Sequence, residues 1–395
     1  MNSGKYIFSQ VVKYLPVYEF EKLVKKYDGD KRTRSFNCYN QFLHLLFGQL
    51  TSCESLRDIC LCLQVHNRIL YHLGFRKTVN SSSLSRANES RDYRIYEEFG
   101  YKLIESVRPL YEKETVPSVN LPNDILALDS TTISISIKLC SWALGKYSRG
   151  GVKMHTLLDL RGSIPVYIHI TDSRWHDSNV LDMIEPAPYT IYTMDKAYVD
   201  FKALYKYHCA NAYFVTRAKD TMQYDIIETN GNVDESVGLK ADQTIRLNGY
   251  KSKQHYPENL RLVTVYDSET DEEIRFLTNN FEITALEVAN IYRNRWQIEV
   301  FFKWIKQNIV IKSLWGYSPN AVKTHLWVAI CAYLLVAKIK AICKSELSVT
   351  EILTIISVSA LEKTDLTDLI TKQPKIEFSN QNVKELSLYD FLEFN

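Results

Sequence analysis

Cysteine, glycine and proline are all sparingly used in this 395-residue chain, at 8, 13 and 10 copies. The cysteines (Cys38, Cys53, Cys60, Cys62, Cys140, Cys209, Cys331 and Cys343) form no Cys-x-x-Cys pair, and the only close spacing is Cys60-x-Cys62. Neither a zinc site nor a disulfide framework is indicated, and a reducing cytosol is the expected compartment. So little glycine and proline excludes collagen-like repetition and argues against long flexible linkers. Long apolar runs are lacking as well. The most apolar stretch, Leu326 to Ala337, has 12 residues, too short to cross a bilayer of about 30 Å as a helix. It reads as a buried core helix, so no membrane partner is expected. Met1 to Leu15 carries Lys5 and Lys13 and has no apolar core of the signal-peptide kind. An excess of either charge is missing too, since 48 Lys plus Arg against 46 Asp plus Glu leave +2.

Apolar and aromatic surface is plentiful: 46% of residues are hydrophobic, with 26 Tyr, 16 Phe and 6 Trp. A chain of this length and composition is globular and divides into two or three domains. Residues 1–120 hold 18 basic and 13 acidic side chains, a local +5, and show helical periodicity at Phe42, Leu45, Leu46, Gln49 and Leu50 and again at Tyr93, Tyr96, Phe99, Leu103 and Ile104. The run Asn80-Ser81-Ser82-Ser83 offers N-cap residues for a helix carrying Arg86, Arg91 and Arg94, like the second helix of a helix-turn-helix. Those arginines either contact DNA or solvate a helix.

From Ile125 the signals become strands: Ile125 to Asp129, Val152 to Leu160 and Ile164 to Thr171, separated by Gly150-Gly151 and Arg161-Gly162-Ser163, a meander. A strand ending at Asp195, a helix from Val199 to His208 and a strand from Ala212 to Thr216 then imply parallel neighbours. Residues 219–278 read as a β-rich insertion, and a helical period resumes from Thr284 through Lys312. The C-terminal Tyr389 to Phe394 reads as a packed or frayed tail and is assigned no function.

The segment from Tyr292 to Lys306 carries chemistry. On a helix of 3.6 residues per turn, Tyr292, Arg295, Glu299 and Lys306 fall at about 0°, 300°, 340° and 320°, one face. A carboxylate flanked there by a phenol, a guanidinium and an ammonium suits a site holding a metal-bound phosphate. The same residues also suit a solvated face with an i, i+4 pair.

The spacing Tyr-x2-Arg-x3-Glu-x6-Lys resembles the signature of bacterial insertion-sequence DDE transposases of the insertion sequence four family. Ile125-Leu126-Ala127-Leu128-Asp129-Ser130 and Thr193-Met194-Asp195-Lys196-Ala197-Tyr198 are similar to the segments carrying that family's other two acids. Lys153 to Asp159 and Thr171 to Asp177 extend the likeness over residues 120–315. His155, His176 and Asp177 lie in these matched segments and are weaker candidates for a function.

The resemblance implies an α/β, RNase H-like mixed sheet flanked by helices, interrupted by the β-rich insertion and preceded by an all-helical DNA-binding domain. The expected divisions are 1–120, 121–218, 219–278, 279–320 and 321–395. It also implies that Asp129, Asp195 and Glu299 converge as catalytic metal ligands. Three converging carboxylates repel unless cations neutralise them. Two Mg²⁺ ions roughly 4 Å apart, with Mn²⁺ able to substitute, would activate water against a phosphodiester and stabilise the leaving 3′ oxygen. Tyr292, Arg295 and Lys306 would contact phosphates, and Trp296 either stacks on an unpaired base or packs in the core. Ile274 stands where members using a DNA hairpin have tryptophan, which leaves that route open.

The implied function is a transposase that binds terminal inverted repeats, cleaves DNA and joins 3′ ends to target DNA. It would act as a homodimer on double-stranded DNA, in the bacterial cytoplasm and at the nucleoid when bound. A metal-dependent nuclease without strand transfer and a catalytically silent DNA-binding descendant are the alternatives.

Overall fold

The computed structural model describes residues 4–371 except 32, 136–141, 143–149, 232, 235–237, 268–270 and 309–313. Cys140, the end of the helical period near Lys312 and the C-terminal Tyr389 to Phe394 lie outside the described residues.

Before the sheet come α1 (Ile7–Val12), α2 (Val17–Lys26), α3 (Cys38–Leu50), α4 (Leu56–Val65), α5 (Leu70–Leu73), α6 (Ser81–Ser90) and α7 (Arg94–Val107). Local chemistry sets their ends. Asn80 caps α6 by accepting from the Ser83 N–H at 2.8 Å, and Ser55 and Asp58 form a reciprocal capping box at the start of α4. One helix does not carry all three candidate arginines, because α6 stops at Ser90; Arg91 is its cap and Arg94 opens α7.

The sheet begins with β1 (Ile125–Ile135), β2 (Gly150–Asp159) and β3 (Ile164–Asp172), the expected antiparallel meander. After α8 (Val180–Met183) come β4 (Ile191–Met194), α9 (Phe201–Cys209) and β5 (Tyr213–Arg217). β4 lies parallel to β1 and β5 parallel to β4, giving the order 3-2-1-4-5 of an RNase H-like core.

Next are β6 (Tyr224–Thr229), β7 (Leu239–Leu247), α10 (Ser252–His255), β8 (Leu260–Asp267) and β9 (Glu272–Thr278). The β-rich insertion read at 219–278 is there, and its strands add to the core sheet. β9 pairs antiparallel with β5, and the nine described strands run 3-2-1-4-5-9-8-7-6. The unpaired edge of β5 offers a row of backbone donors and acceptors, which β9 satisfies.

The period-2 alternation of β1 sends its side chains into two cores. Ile125, Ala127 and Ile133 join a large core shared with the helices, while Leu126 and Leu128 join a smaller one with Tyr192, Met194, Leu204 and Tyr207.

The chain closes with α11 (Ala285–Asn294), α12 (Gln297–Asn308), α13 (Pro319–Cys343), α14 (Val349–Ser359) and α15 (Leu366–Thr371). The apolar run 326–337 sits inside α13, which at 25 residues is twice as long as that run. Ser318 caps it by accepting from the Ala321 N–H, and Pro319 opens its first turn. By length and hydropathy α13 could span a membrane, yet 72% of its most apolar window is buried within the protein. It packs on α7, α3, α6 and α14, so N-terminal and C-terminal helices share one core.

Gly100 on α7 lets α13 approach closely, since a Cβ there would stand 2.8 Å from the Trp327 ring. Gly100→Val is expected to cost about 1–3 kcal/mol by overpacking, read as a lower urea midpoint with unchanged slope.

Candidate active site

Strand register places the first two acids. In the parallel β1–β4 ladder the last partners are Leu128 and Met194, so Asp129 and Asp195 follow side by side as the ladder ends. Asp195 then caps a short 3₁₀ turn, its Oδ1 accepting from the Ala197 N–H at 3.1 Å. Asp129 Oδ1 accepts from the Ser130 N–H at 2.7 Å.

Glu299 arrives on α12, which packs against β1. The lead-in is encoded locally: Thr284 and Glu287 form a capping box that starts α11. Here the sequence expectation needs correction. Tyr292 to Lys306 is not one uniform helix, because α11 ends at Asn294 and α12 begins at Gln297. The Arg295 and Trp296 N–H groups bond three residues back, to Tyr292 and Arg293, tightening the turn.

Arg295 sits between two acids. Its Nη2 is 2.9 Å from Glu299 Oε1 and its Nη1 is 3.4 Å from Asp129 Oδ2. The Tyr292 ring lies 5.4 Å from this guanidinium and 4.9 Å from the Phe276 ring. The Arg295 and Asp129 side chains are only 13% and 22% exposed, so the charges interact with little screening. Burial pushes the Asp129 carboxyl up from its ordinary 3.8 to about 6, with Arg295 pulling the other way and Glu299 and Asp195 adding repulsion. Burial likewise raises Glu299, again opposed by Arg295 and helped by Asp195. The three acids thus act on one another electrostatically.

All three acids offer hard oxygen donors of the kind that hold Mg²⁺ or Mn²⁺. Among the described residues no set of three or more His, Cys, Asp or Glu side chains is already at coordinating spacing. Instead the Arg295 guanidinium bridges Asp129 and Glu299. The donor chemistry fits a divalent cation, while the closed shell is not preformed.

The other predicted residues scatter. Lys306 is exposed near the far end of α12, and no described contact joins it to the acids. Trp296 is half-buried in the break between the helices. Arg91, a candidate DNA contact, is 9% exposed, donating to Gln41 Oε1 at 2.7 Å and to the Phe36 carbonyl. Its guanidinium closes the helical core, leaving little to reach a phosphate. Arg94 is exposed but held by Asp92 at 2.5 Å and by the Tyr27 ring. Arg86 stays on the surface, its Nε 3.4 Å from the Ser82 carbonyl.

His155 is fully buried, edge-on to Trp175 with centroids 4.9 Å apart. Burial lowers it to about 4, so it is neutral near pH 7, where it packs on Trp175 and is hydrogen-bonded through Nε2 to the Thr171 hydroxyl at 3.1 Å. His176 is exposed. Asp177 is better placed, accepting from the Ser130 hydroxyl at 2.6 Å and pairing with Lys153 at 3.1 Å. Sequence reasoning missed Ser130 and Lys153. The one available signal was their position, beside Asp129 and within the matched segment at 153–159.

The model of a transposase DDE domain matches residues 120–335, and that of a domain of unknown function (DUF4372) matches residues 3–76. A putative transposase of Sinorhizobium fredii is 35% identical over 211 residues, covering 53% of this chain and 58% of the relative. A probable transposase for an insertion sequence element of Geobacillus stearothermophilus is 29% identical over 224 residues, covering 56% and 58%. A putative insertion-sequence transposase of Synechocystis is 26% identical, covering 66% and 71%. The chain thus aligns with less than two thirds of the length of the first two relatives. A piggyBac transposase synaptic complex with hairpin DNA shares 10% identity, covering 94% of this chain and 81% of that one, with a TM-score of 0.45. Since the match at 120–335 takes in more than half of the chain, including Asp129, Asp195 and Glu299, this protein belongs to the transposase DDE domain family.

Proposed function

We propose that the protein is an insertion-sequence transposase that cleaves DNA at the ends of its element and joins the 3′ ends to target DNA, with Asp129, Asp195 and Glu299 as its catalytic acids. The observation that carries this is the β1–β4 register, which sets Asp129 beside Asp195, together with the Arg295 bridge that ties Glu299 to Asp129. Those carboxylates would hold Mg²⁺ or Mn²⁺, and the bound ions would supply charge neutralisation and Lewis acidity at the scissile phosphate.

The chain's own residues orient the rest. Arg295, with one guanidinium edge on the acids, and Tyr292 beside it present a donor surface to a phosphate of the cleaved end. Lys306 and Trp296 are assigned to the DNA on the flank of α12. Arg86 is the exposed arginine of the candidate trio without an acidic partner among the described residues, and the helical body carrying it is assigned to terminal-repeat recognition. Two ends need two active sites, so the working form on double-stranded DNA is a homodimer in the cytoplasm and at the nucleoid. The spacing Tyr292, Arg295, Glu299, Lys306 supports placing it in the insertion sequence four group.

The test is cleavage and strand transfer on a duplex bearing the element's own terminal repeat, with Mg²⁺. Glu299→Gln should lower the cleavage rate at least about a hundredfold, because a metal ligand supports several kcal/mol of transition-state stabilisation. End binding measured without metal should persist. Cleavage by this variant at the wild-type rate would remove Glu299 from the site, and cleavage without joining would make the protein a nuclease.

A further inference from the structure

Asp129 has a second set of neighbours beyond the acid cluster. Ser130 gives its backbone N–H to Asp129 Oδ1 and its hydroxyl to Asp177 Oδ1, at 2.7 and 2.6 Å. Asp177 is gripped in turn by Lys153, whose Nζ is 3.1 Å from Oδ1 and 3.2 Å from Oδ2 and 3.2 Å from the Trp175 carbonyl. The Lys153 side chain is 13% exposed. A lysine so enclosed requires a carboxylate, which accounts for the pair but not for the serine hydroxyl drawn onto it.

The ladder supplies the reason. β1 pairs with β4 only as far as Leu128, while its pairing with β2 runs on through Asp129 opposite Thr156 and Ser130 opposite His155. At Asp129–Ser130 the strand therefore has lost its support on the β4 side, just where a carboxylate must be aimed. The hydrogen bond from Ser130 to Asp177 acts at that position. His155 Nδ1, 3.6 Å from Asp177 Oδ1, is beyond hydrogen-bond reach, and its Nε2 is instead 3.1 Å from the Thr171 hydroxyl.

We propose that Asp177, anchored by Lys153, is a positioning residue for the DNA-cleavage reaction: through Ser130 it fixes the strand end and the N–H that orients one oxygen of Asp129. The inference rests on the reading of Asp129 as a catalytic acid. Groups that orient a metal ligand are worth about 10- to 100-fold in metal affinity or activity.

The experiment compares wild type, Ser130→Ala, Ser130→Thr, Asp177→Asn and Asp129→Asn, each as the full chain. Mn²⁺ binding is read from the electron paramagnetic resonance of the free ion, and cleavage of terminal-repeat duplex is titrated with Mn²⁺. Ser130→Ala and Asp177→Asn should raise the half-saturating Mn²⁺ about 10- to 100-fold, with metal-free end binding unchanged. Ser130→Thr keeps the hydroxyl and should recover most of the loss. Wild-type Mn²⁺ dependence in both variants would overturn the proposal. So would a fall in melting temperature alone, which would make the cluster purely structural. Asp129→Asn separates the two levels, for if it cleaves like wild type the failure lies with the active-site reading itself.

Discussion

Asp129→Asn is expected to stabilise the metal-free protein near pH 7.5 while abolishing DNA cleavage. An unfolded Asp129 releases its proton near 3.8, whereas the folded one keeps it to about 6. Between those values the folded state binds more protons, so stability falls as pH rises through the window, and above about 6 the whole penalty is present. A shift of about two units corresponds to roughly 3 kcal/mol at most. Asparagine carries no such penalty and should recover about 1–3 kcal/mol of it, flattening the slope of stability against pH between 4 and 6. Calorimetry over that range checks the sign. Loss of stability in the variant at pH 7.5 would show that the Arg295 pairing outweighs the burial of Asp129. Mg²⁺ should raise the melting temperature of wild type more than that of the variant, because ligand binding to the folded state stabilises it in proportion to affinity.

Arg261→Met should be strongly destabilising, costing about 3–5 kcal/mol. Arg261 on β8 makes two 2.8 Å bonds to Asp242 on β7, with side chains 9% and 10% exposed. Its Nη1 also donates to the Asn280 and Ile283 carbonyls at 3.2 and 2.6 Å. Removing it strands a buried carboxylate and frees two carbonyls of the turn leading to Thr284, the cap of α11. The strands beyond β5 thereby brace the helices that deliver Arg295 and Glu299. Urea unfolding followed by circular dichroism would measure the cost. Arg261→Met combined with Asp242→Leu should recover most of it, since no charge is then left unpaired.

Much of this was legible locally. Strand runs bounded by turn residues marked β1 to β5, apolar spacing marked α3 and α7, and the cap at Asn80 was readable because a side chain two or three residues from a free N–H is decided by the chain's own neighbourhood. The break at Arg295 and Trp296 was not, because no glycine or proline marks it. Arg91 was misread for a related reason: its partners, Gln41 and the Phe36 carbonyl, lie 50 and 55 residues away. An arginine in a polar stretch gives no sign that another helix will cover it.

The sequence alone determined most of the strands and helices and the three acids offered for chemistry, since periodicity, capping and residue type act over a few residues. Only the tertiary structure decided that residues 224–278 continue the sheet, that Asp129 stands beside Asp195, and that Arg295 reaches both Asp129 and Glu299. Those outcomes depend on strand pairing and burial between segments far apart in the chain, where the gain of satisfying an exposed strand edge or a buried charge exists only once the partners have met.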